Sequence, residues 1–437
     1  MLLAGMKHRG LPMPAGSFEP PTAARVTARQ WYALLILTVI YACHSLDRAV
    51  VSVVIEPLKH ELGLSDSRIG VITGLGYGLI YGLSALPLGY LVDRVNRVRL
   101  LTILVVVWSG TTALAGFARG FWDLLLARMG VGAAEAGGQP TALSLLADYF
   151  PESRRSTALG IFYLGTSVGY AASFLIGGLV ASAYGWRAAF FVAGVPGLIL
   201  GVMLYLTVGE PVRTSDTGAA RDDAPPLLAA FRFLSRMPAI RHLFAAMLLA
   251  SFSVSVMLMW MVPLLMREHG LTLAQAGTVG AITMGVSQSL GAIVAGVLAD
   301  RIARRGRHRR VLIPAIAMTC SVPLAIGGAL SPQAVVAVGC LLGFGLFTSA
   351  WTAAGYTTMI GEVESRMRGT MLGAMQVGAT LLGSALSPFI TGVLSDTIGG
   401  RHSLAVAIAI LSLTGLWAAL HFLLAGRAIA RGPLPGA

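Results

Sequence analysis

Long stretches without a charged side chain dominate this sequence and restrict what it can fold into. A helix that crosses the ~30 Å hydrocarbon core of a bilayer needs roughly 20 predominantly apolar residues. Eight stretches of at least 19 residues contain no Lys, Arg, Asp or Glu: 69–92, 100–118, 156–186, 188–209, 243–266, 270–299, 369–395 and 402–426. A ninth, 311–361, is long enough for two helices and is interrupted at Ser331-Pro332-Gln333. Together these stretches predict ten membrane spans.

Two further apolar stretches are interrupted by charges. Asp47 and Arg48 lie within 31–55, and Arg128 and Glu135 lie within 121–147. Only 12% of all residues are charged, about half of the ~25% that is typical of a soluble domain. This excludes a soluble fold, and it excludes a nucleic-acid binder despite the net charge of +13, because the charges fall between apolar runs. We predict an all-α membrane protein with twelve transmembrane helices.

The basic residues predict the orientation of the chain. Lys and Arg are enriched in the cytoplasmic loops of membrane proteins. With a cytoplasmic N-terminus, 24 of the 32 Lys and Arg residues fall on the cytoplasmic side. We therefore expect a multi-pass protein of the bacterial inner membrane with both termini in the cytoplasm. Residues 1–30, which lack the apolar core of a cleavable signal, are expected to be a disordered cytoplasmic tail, and 427–437 a second tail.

The two halves of the chain repeat one pattern. Gly89-Tyr-Leu-Val-Asp-Arg recurs as Gly296-Val-Leu-Ala-Asp-Arg, and Gly178-Leu-Val-Ala-Ser is echoed by Gly392-Val-Leu-Ser-Asp. The polar segment 209–240 divides the spans six and six. We therefore predict two pseudo-symmetric six-helix bundles, 31–208 and 241–426, joined by a cytoplasmic linker, with a substrate cavity at their interface.

The loop pattern Gly89-x-Leu-x-Asp93-Arg94-x-x-Arg97 and its repeat at Gly296 resemble the major facilitator superfamily over about residues 30–426. The resemblance implies transport by alternating access. It also implies a latch on the cytoplasmic side. Asp93 would face the N-terminus of span 11, where the helix dipole favours an anion, and Arg94 and Arg97 would pair with Asp148.

Four ionisable residues lie deep in predicted spans. At 1.5 Å per residue, Asp47, Arg48 and Arg128 share a level in the outer half of the membrane, and Glu135 lies about 10 Å from Arg128 on the same helical face. Charges at such depths are costly and mark functional sites. We predict that Asp47 and Glu135 couple transport to protons, that Asp47 pairs with Arg128, and that Arg48 and Arg128 bind an anionic group of the substrate. The alternative is an ion-pair network that only fixes helix register.

The second half has no matching charges. Its cavity-lining candidates in spans 7 and 10 are Ser251, Ser255, Met259, Trp260, Phe344, Phe347, Thr348, Trp351 and Tyr356. From this set we assign Trp260, Phe344, Phe347, Trp351 and Tyr356 to substrate binding. A charged wall opposite an aromatic wall favours an amphiphile with an anionic head.

Two segments resemble the spinster-like branch of the superfamily: Ser45-Leu-Asp47-Arg48 with the following Ile55–Ser65, and Arg128-Met-Gly-Val-Gly-Ala-Ala-Glu135. The resemblance implies a bacterial homologue of sphingosine-1-phosphate and lysophospholipid exporters, with its site on Asp47, Arg48, Arg128 and Glu135. The stretch Glu135-Ala-Gly-Gly-Gln-Pro140 is similar to organic-anion:cation symporters. An organic-anion:proton symporter and a multidrug:proton antiporter therefore stay open as alternatives.

An enzyme is disfavoured because the eight histidines are scattered and no nucleophile is paired with a base. Gly74-x-Gly76-x-Gly78 lies inside a span, where small residues permit close helix packing. We expect no cofactor and no metal. The expected partners are a small amphiphilic or organic-anion substrate, protons and the lipid bilayer, without nucleic acid, and we expect a monomer. A non-transporting sensor is the remaining rival.

Overall fold

The computed structural model describes residues 26–213, 237–363 and 367–432. Within these ranges the regular structure is helical throughout. The predicted tails, apart from residues 26–30 and 427–432, and most of the predicted linker 209–240 lie outside the described residues. The predicted domain boundaries therefore stay predictions.

The helices follow the predicted order of spans, which we number accordingly. In the described parts of the chain, eleven helices are long and apolar enough to cross a membrane. Spans 1 to 3 are Ala28–Val53, Asp66–Arg94 and Arg97–Ala115; spans 5 and 6 are Glu152–Tyr184 and Trp186–Thr207; spans 7 to 9 are Pro238–His269, Leu273–Ala303 and Arg307–Leu330; spans 10 to 12 are Ala334–Glu362, Thr370–Ile398 and Ser403–Ala430. Span 4, Phe121–Tyr149, has 29 residues and is long enough to cross, but it is less apolar because it contains Arg128, Glu135 and Gln139. The all-α membrane fold is confirmed, and the count of twelve depends on this charged helix.

Local sequence signals set several helix ends. Span 1 begins at Ala28, three residues before the prediction, because Thr27 and Gln30 form a reciprocal capping box. Span 7 ends at Gly270, which takes the left-handed conformation with φ 63°. Spans 2, 8 and 11 each contain one π-helical segment: Val71–Gly76, Ile282–Ser287 and Thr380–Leu386. Such segments are frequent at functional sites because they turn side chains out of the regular helical register.

The packing follows the two predicted halves. Span 1 packs on span 5, span 3 packs on spans 4 and 6, and span 2 packs on span 4. In the second half, span 7 packs on span 12, and span 9 packs on spans 10 and 12. The halves meet where span 5 contacts span 8 and where the beginning of span 2 contacts the end of span 11.

The end of the molecule that is predicted to be external, called here the external end, is closed by close backbone contact. A methyl group added at Gly70 would lie 2.6 Å from the Phe389 Cα atom, and one added at Gly392 would lie 2.2 Å from the Asp66 carbonyl oxygen. Only residues without a side chain permit this approach between spans 2 and 11.

Polar contacts reinforce this closure, and we call the residues that make them the external seal. Arg267 donates to both carboxylate oxygens of Asp66, at 2.7 and 2.8 Å, and its Nε donates to Glu56 at 2.7 Å. The Asp396 carboxylate accepts from the backbone N–H groups of Asp66 at 3.1 Å and Ser67 at 2.8 Å. This carboxylate therefore caps the first turn of span 2, where the helix dipole favours an anion. The external seal also includes Lys59 and Ser395, which both donate to Asp66.

Beside the seal, Glu61 joins a short helix, Ile55–Leu62, to span 6. It accepts from Arg187 at 2.5 Å and from the Trp186 indole at 2.7 Å. The hydrogen bond from Arg187 is the main reason that the pKa of Glu61 is held below its usual range. Unlike the external seal, this contact lies entirely within the first half.

Candidate substrate and proton site

A cavity lies between the two halves, below the external seal. Its volume is about 30 Å³, which is room for about two water molecules. The first half contributes Arg48, Ala49, Ser52, Thr73, Tyr77, Arg128 and Tyr170, and the second half contributes Ser255, Leu258, Met259, Ser384 and Pro388. Spans 1, 2, 4, 5, 7 and 11 therefore meet at one compact space with two arginines, several hydroxyl groups and a small apolar surface.

The two arginines that were predicted to bind the substrate, Arg48 and Arg128, both lie against the ring of Tyr77. The guanidinium carbon of Arg128 lies 5.1 Å from the ring centroid and that of Arg48 lies 5.4 Å from it. Cation–π attraction at these distances holds both side chains toward the cavity. Arg48 also donates to the Ser384 hydroxyl of span 11, which links the two halves through the cavity. Arg128 is only 3% exposed, so its charge acts where water screens it little.

The predicted ion pair between Asp47 and Arg128 does not form. Arg128 Nη1 donates instead to the backbone carbonyl oxygen of Asp47, at 3.3 Å. The Asp47 carboxyl group is completely buried, and neither of its oxygens has a hydrogen-bond partner among the described residues. The ring of Tyr77 and the backbone of span 1 hold the guanidinium away from this carboxyl group. A buried carboxyl group without a partner is costly, and such groups are found at functional sites.

Glu135 is also completely buried, and it lies behind Tyr77 as seen from the cavity. Its Oε2 atom accepts from the Tyr77 hydroxyl at 2.7 Å and lies 3.4 Å from Nε2 of His44. Sequence reasoning missed both Tyr77 and His44. His44 was missed because the histidines were treated as scattered. The spacing carried a signal: His44 precedes Asp47 by three residues and so lies one turn away on the same helical face.

Hydroxyl groups from π-helical segments complete the cavity and were also missed. Thr73 lies in the π-helical segment of span 2, and Ser384 lies in that of span 11. A π-helical segment leaves no mark in hydrophobic periodicity, because its residues are as apolar as their neighbours. Of the hydroxyl and thioether candidates in span 7, Ser255 and Met259 line the cavity.

The five aromatic residues assigned to substrate binding do not line this cavity. Trp260 and Phe344 are 0% and 1% exposed and pack in the core of the fold. Trp351 packs in another core cluster, against which Tyr356 is also packed. Phe347 lines a separate apolar groove between spans 8, 9 and 10. Periodicity cannot distinguish a cavity-facing aromatic side chain from one that packs against a neighbouring helix.

Three of the four predicted latch residues have clear positions. Arg97 pairs with Asp148, and its Nε donates to Glu210 at 2.7 Å. The guanidinium of Arg94 lies 3.5 Å from the Tyr90 ring centroid. The structure therefore brings Arg97 to Asp148 as predicted and places Arg94 on an aromatic ring instead. Asp93 is exposed at the end of span 2, and its predicted partner, the beginning of span 11, stays a prediction.

Comparison with known proteins agrees with this architecture. The profile described as Major Facilitator Superfamily matches residues 37–388. The chain is 29% identical over 371 residues to an "MFS-type efflux pump" of Mycolicibacterium smegmatis, covering 85% of each protein. It is 28% identical over 430 residues to a "probable L-galactonate transporter" of Escherichia coli, covering 91% of this chain and 92% of that protein.

A solved structure is also closely similar. The crystal structure of a bacterial homologue of the human lysosomal transporter Spinster, in an inward-facing and unoccupied conformation, superposes with a TM-score of 0.84 at 26% identity. The match covers 94% of this chain and all of that one. The predicted resemblance to the spinster-like branch is confirmed. By its sequence profile and its fold, this chain belongs to the Major Facilitator Superfamily of membrane transporters.

Proposed function

We propose that this protein is a proton-coupled secondary transporter that moves a small organic anion across the bacterial inner membrane by alternating access. Arg48 and Arg128 bind the anionic group, and Asp47 and Glu135 exchange the coupled proton. The observation that carries the proposal is the pair of arginines on one Tyr77 ring, facing hydroxyl groups of the opposite half.

The shape of the cavity favours a compact substrate. Its two arginines suit a carboxylate, because the planar guanidinium donates two parallel hydrogen bonds. Hydroxyl groups of Ser52, Thr73 and Ser255 are placed for a hydroxylated carbon chain. A relative named for L-galactonate, a hydroxylated carboxylate, agrees with this chemistry.

An amphiphile with an anionic head is the second candidate. The similarity to the Spinster homologue supports it, as does the apolar surface of Leu258 and Met259 beside the arginines. Because the cavity is compact, the head group would occupy it and the chain would extend beyond it. The aromatic residues expected to contact that chain lie elsewhere, which favours the smaller substrate.

Transport by the purified protein in liposomes tests the proposal. A pH gradient should drive uptake of radiolabelled L-galactonate, and a pH dye in the lumen should report the proton that moves with it. Fluorescent lysophosphatidylglycerol, followed by extraction with albumin, tests the second candidate. Gradient-dependent movement of the lipid alone would replace the first candidate by the second, and movement of neither probe would contradict both.

The arginines provide the first prediction. Arg48→Gln and Arg128→Gln should each reduce L-galactonate uptake at least about tenfold, because a charge-assisted hydrogen bond contributes about 1.5–3 kcal/mol. Lys at either position should restore part of the uptake, since it keeps the charge without the planar fork. Arg427→Gln, at an exposed position near the end of span 12, is the control. Wild-type uptake in both cavity variants would exclude them from substrate binding.

A further inference from the structure

His44 is a buried titratable residue that the transport scheme above does not use. It is 8% exposed, and neither ring nitrogen has a hydrogen-bond partner among the described residues. Its Nε2 atom lies 3.4 Å from Oε2 of Glu135, just beyond a direct hydrogen bond. The ring is fixed by stacking on Tyr41, with centroids 5.4 Å apart, and by an edge contact with Trp108 at 5.8 Å.

Tyr77 separates Glu135 from the substrate cavity. The Tyr77 ring lines that cavity between the two arginines, and its hydroxyl points away from it to the Glu135 carboxyl group. Glu135 is 0% exposed. A proton on Glu135 therefore has no open route into the substrate cavity past this ring.

A second, narrow cavity begins on the other side, at His44. Spans 1, 3, 4 and 5 enclose it, and it has room for about one water molecule. Its other lining residues are Leu37, Ile40, Tyr41, Leu101, Trp108, Gly138, Gln139, Ala142 and Phe162. Leu101 lies four residues after the beginning of span 3, roughly 6 Å from that predicted cytoplasmic end. The cavity thus extends from His44 toward the cytoplasmic end, inside the first half.

We propose that His44 relays the coupled proton between Glu135 and this second cavity, so that proton and substrate use separate routes. The inference depends on the proton coupling proposed above. The lone pair on Nε2 of the neutral imidazole accepts the proton of the Glu135 carboxylic acid, and Nδ1–H then releases a proton to water in the second cavity. One proton enters the ring and one leaves it, which leaves the imidazole as the other neutral tautomer.

The surroundings of the ring suit this relay. The charged and titratable groups that face His44 are Glu135 from span 4 and Arg48 and Tyr41 from its own helix. Span 3 presents Trp108 and span 5 presents Phe162, and neither side chain titrates. Glu135 is therefore the one carboxyl group in contact with the ring among the described residues.

Liposomes that contain His44→Gln test the relay. Exchange of L-galactonate at equal pH on both sides needs no net proton release and should stay within about twofold of wild type. Gradient-driven uptake should fall about a hundredfold, the lower end of a general acid–base effect. Its rate should also lose the part of its pH dependence that the imidazole provides. An unchanged pH profile with wild-type uptake would overturn the relay.

A second variant and a measurement without substrate keep the test decisive. Ala142→Leu fills the second cavity and leaves the imidazole intact, so it should slow proton release in the same way. Infrared spectroscopy after a pH jump, with the Glu135 band assigned by its loss in Glu135→Gln, should show slower protonation in both variants. Equal rates in wild type and both variants would refute the relay alone. If wild type takes up L-galactonate and no proton moves with it, the proposed coupling fails and the relay fails with it.

Discussion

At the scale of single residues, Tyr77 makes two kinds of contact with one side chain. Its ring faces the cavity between the halves and contacts Arg48 and Arg128, and its hydroxyl donates to Glu135. One residue thus separates the predicted anion site from the predicted proton site and also connects them. Movement of the Tyr77 ring on substrate binding would alter the hydrogen bond to Glu135.

Tyr77→Phe separates these contacts. The ring and its cation–π contacts stay, so the affinity for L-galactonate should change less than about threefold. The lost hydrogen bond should lower the free energy of unfolding by about 1–2 kcal/mol and shift the pH dependence of uptake. Thermal unfolding in detergent and a pH series of uptake in liposomes measure both.

Tyr170→Phe is the matched control, because Tyr170 lines the same cavity and makes no described hydrogen bond to Glu135. A pH profile that shifts equally in both variants would contradict the connection between the Tyr77 hydroxyl and the proton site.

At the scale of helices, glycines set how closely spans 2 and 11 approach. The segment Gly392-Val-Leu-Ser-Asp396, which echoes Gly178-Leu-Val-Ala-Ser in the first half, ends span 11 and has the spacing Gly-x-Leu-x-Asp. There, Gly392 contacts the backbone of Asp66, and Asp396 caps span 2. The same pattern at Gly89 and Asp93 was predicted to cap span 11 at the other end of the membrane. The structure thus contains, at the external end, the type of contact that was predicted for the cytoplasmic end.

Gly392→Ala should weaken the external closure. The added methyl group would lie 2.2 Å from a backbone oxygen that cannot rotate away, and overpacking of this kind costs about 1–3 kcal/mol. Because 1.4 kcal/mol is about tenfold in an equilibrium constant, the externally open population should rise roughly tenfold. Spin labels at His60 and Arg401, exposed on opposite halves, measure the distance by pulsed electron resonance.

Gly339→Ala is the control, since nothing lies within 4 Å of an added methyl group there. Identical distance distributions in Gly392→Ala and wild type would show that this contact does not determine closure.

The sequence predicted the spans well and the aromatic wall poorly, for different physical reasons. An uncharged stretch of sufficient length has few alternatives in a bilayer, and Asp47, Arg48, Arg128 and Glu135 were visible as charges where charges are costly. Trp260 and Phe344 gave no such signal, because an aromatic residue is as common in a helix–helix interface as in the wall of a cavity. The contacts of His44 and Tyr77 with Glu135 depend on how spans 1, 2 and 4 pack together, and the sequence alone does not give that packing.

At the scale of the whole molecule, the two halves are joined at the external end by charged and polar side chains from both. Glu56, Lys59 and Asp66 come from the first half, and Arg267, Ser395 and Asp396 come from the second. Alternating access requires that these contacts break when the external end opens. Their strength therefore sets the balance between the two states.

Arg267→Gln should shift this balance toward the externally open state. In the closed state Glu56 would lose its partner, and Asp66 would lose its bidentate partner and keep Lys59 and Ser395. The loss of these charge-assisted hydrogen bonds weakens the closed state. The His60–Arg401 spin-label distance should lengthen, and gradient-driven uptake should slow. Arg187→Gln removes an ion pair within one half and should leave the distance unchanged. A shortened or unaltered distance in Arg267→Gln would contradict this function of the seal.

The glycine contacts between spans 2 and 11 have an electrical consequence. A methyl group does not fit at Gly70, Gly74 or Gly392, so a chain of water molecules, each about 2.8 Å across, does not fit between these helices. These glycine contacts therefore oppose proton leakage between spans 2 and 11. The transporter can therefore stay in this state in an energised membrane without short-circuiting the proton gradient that, in our proposal, drives it.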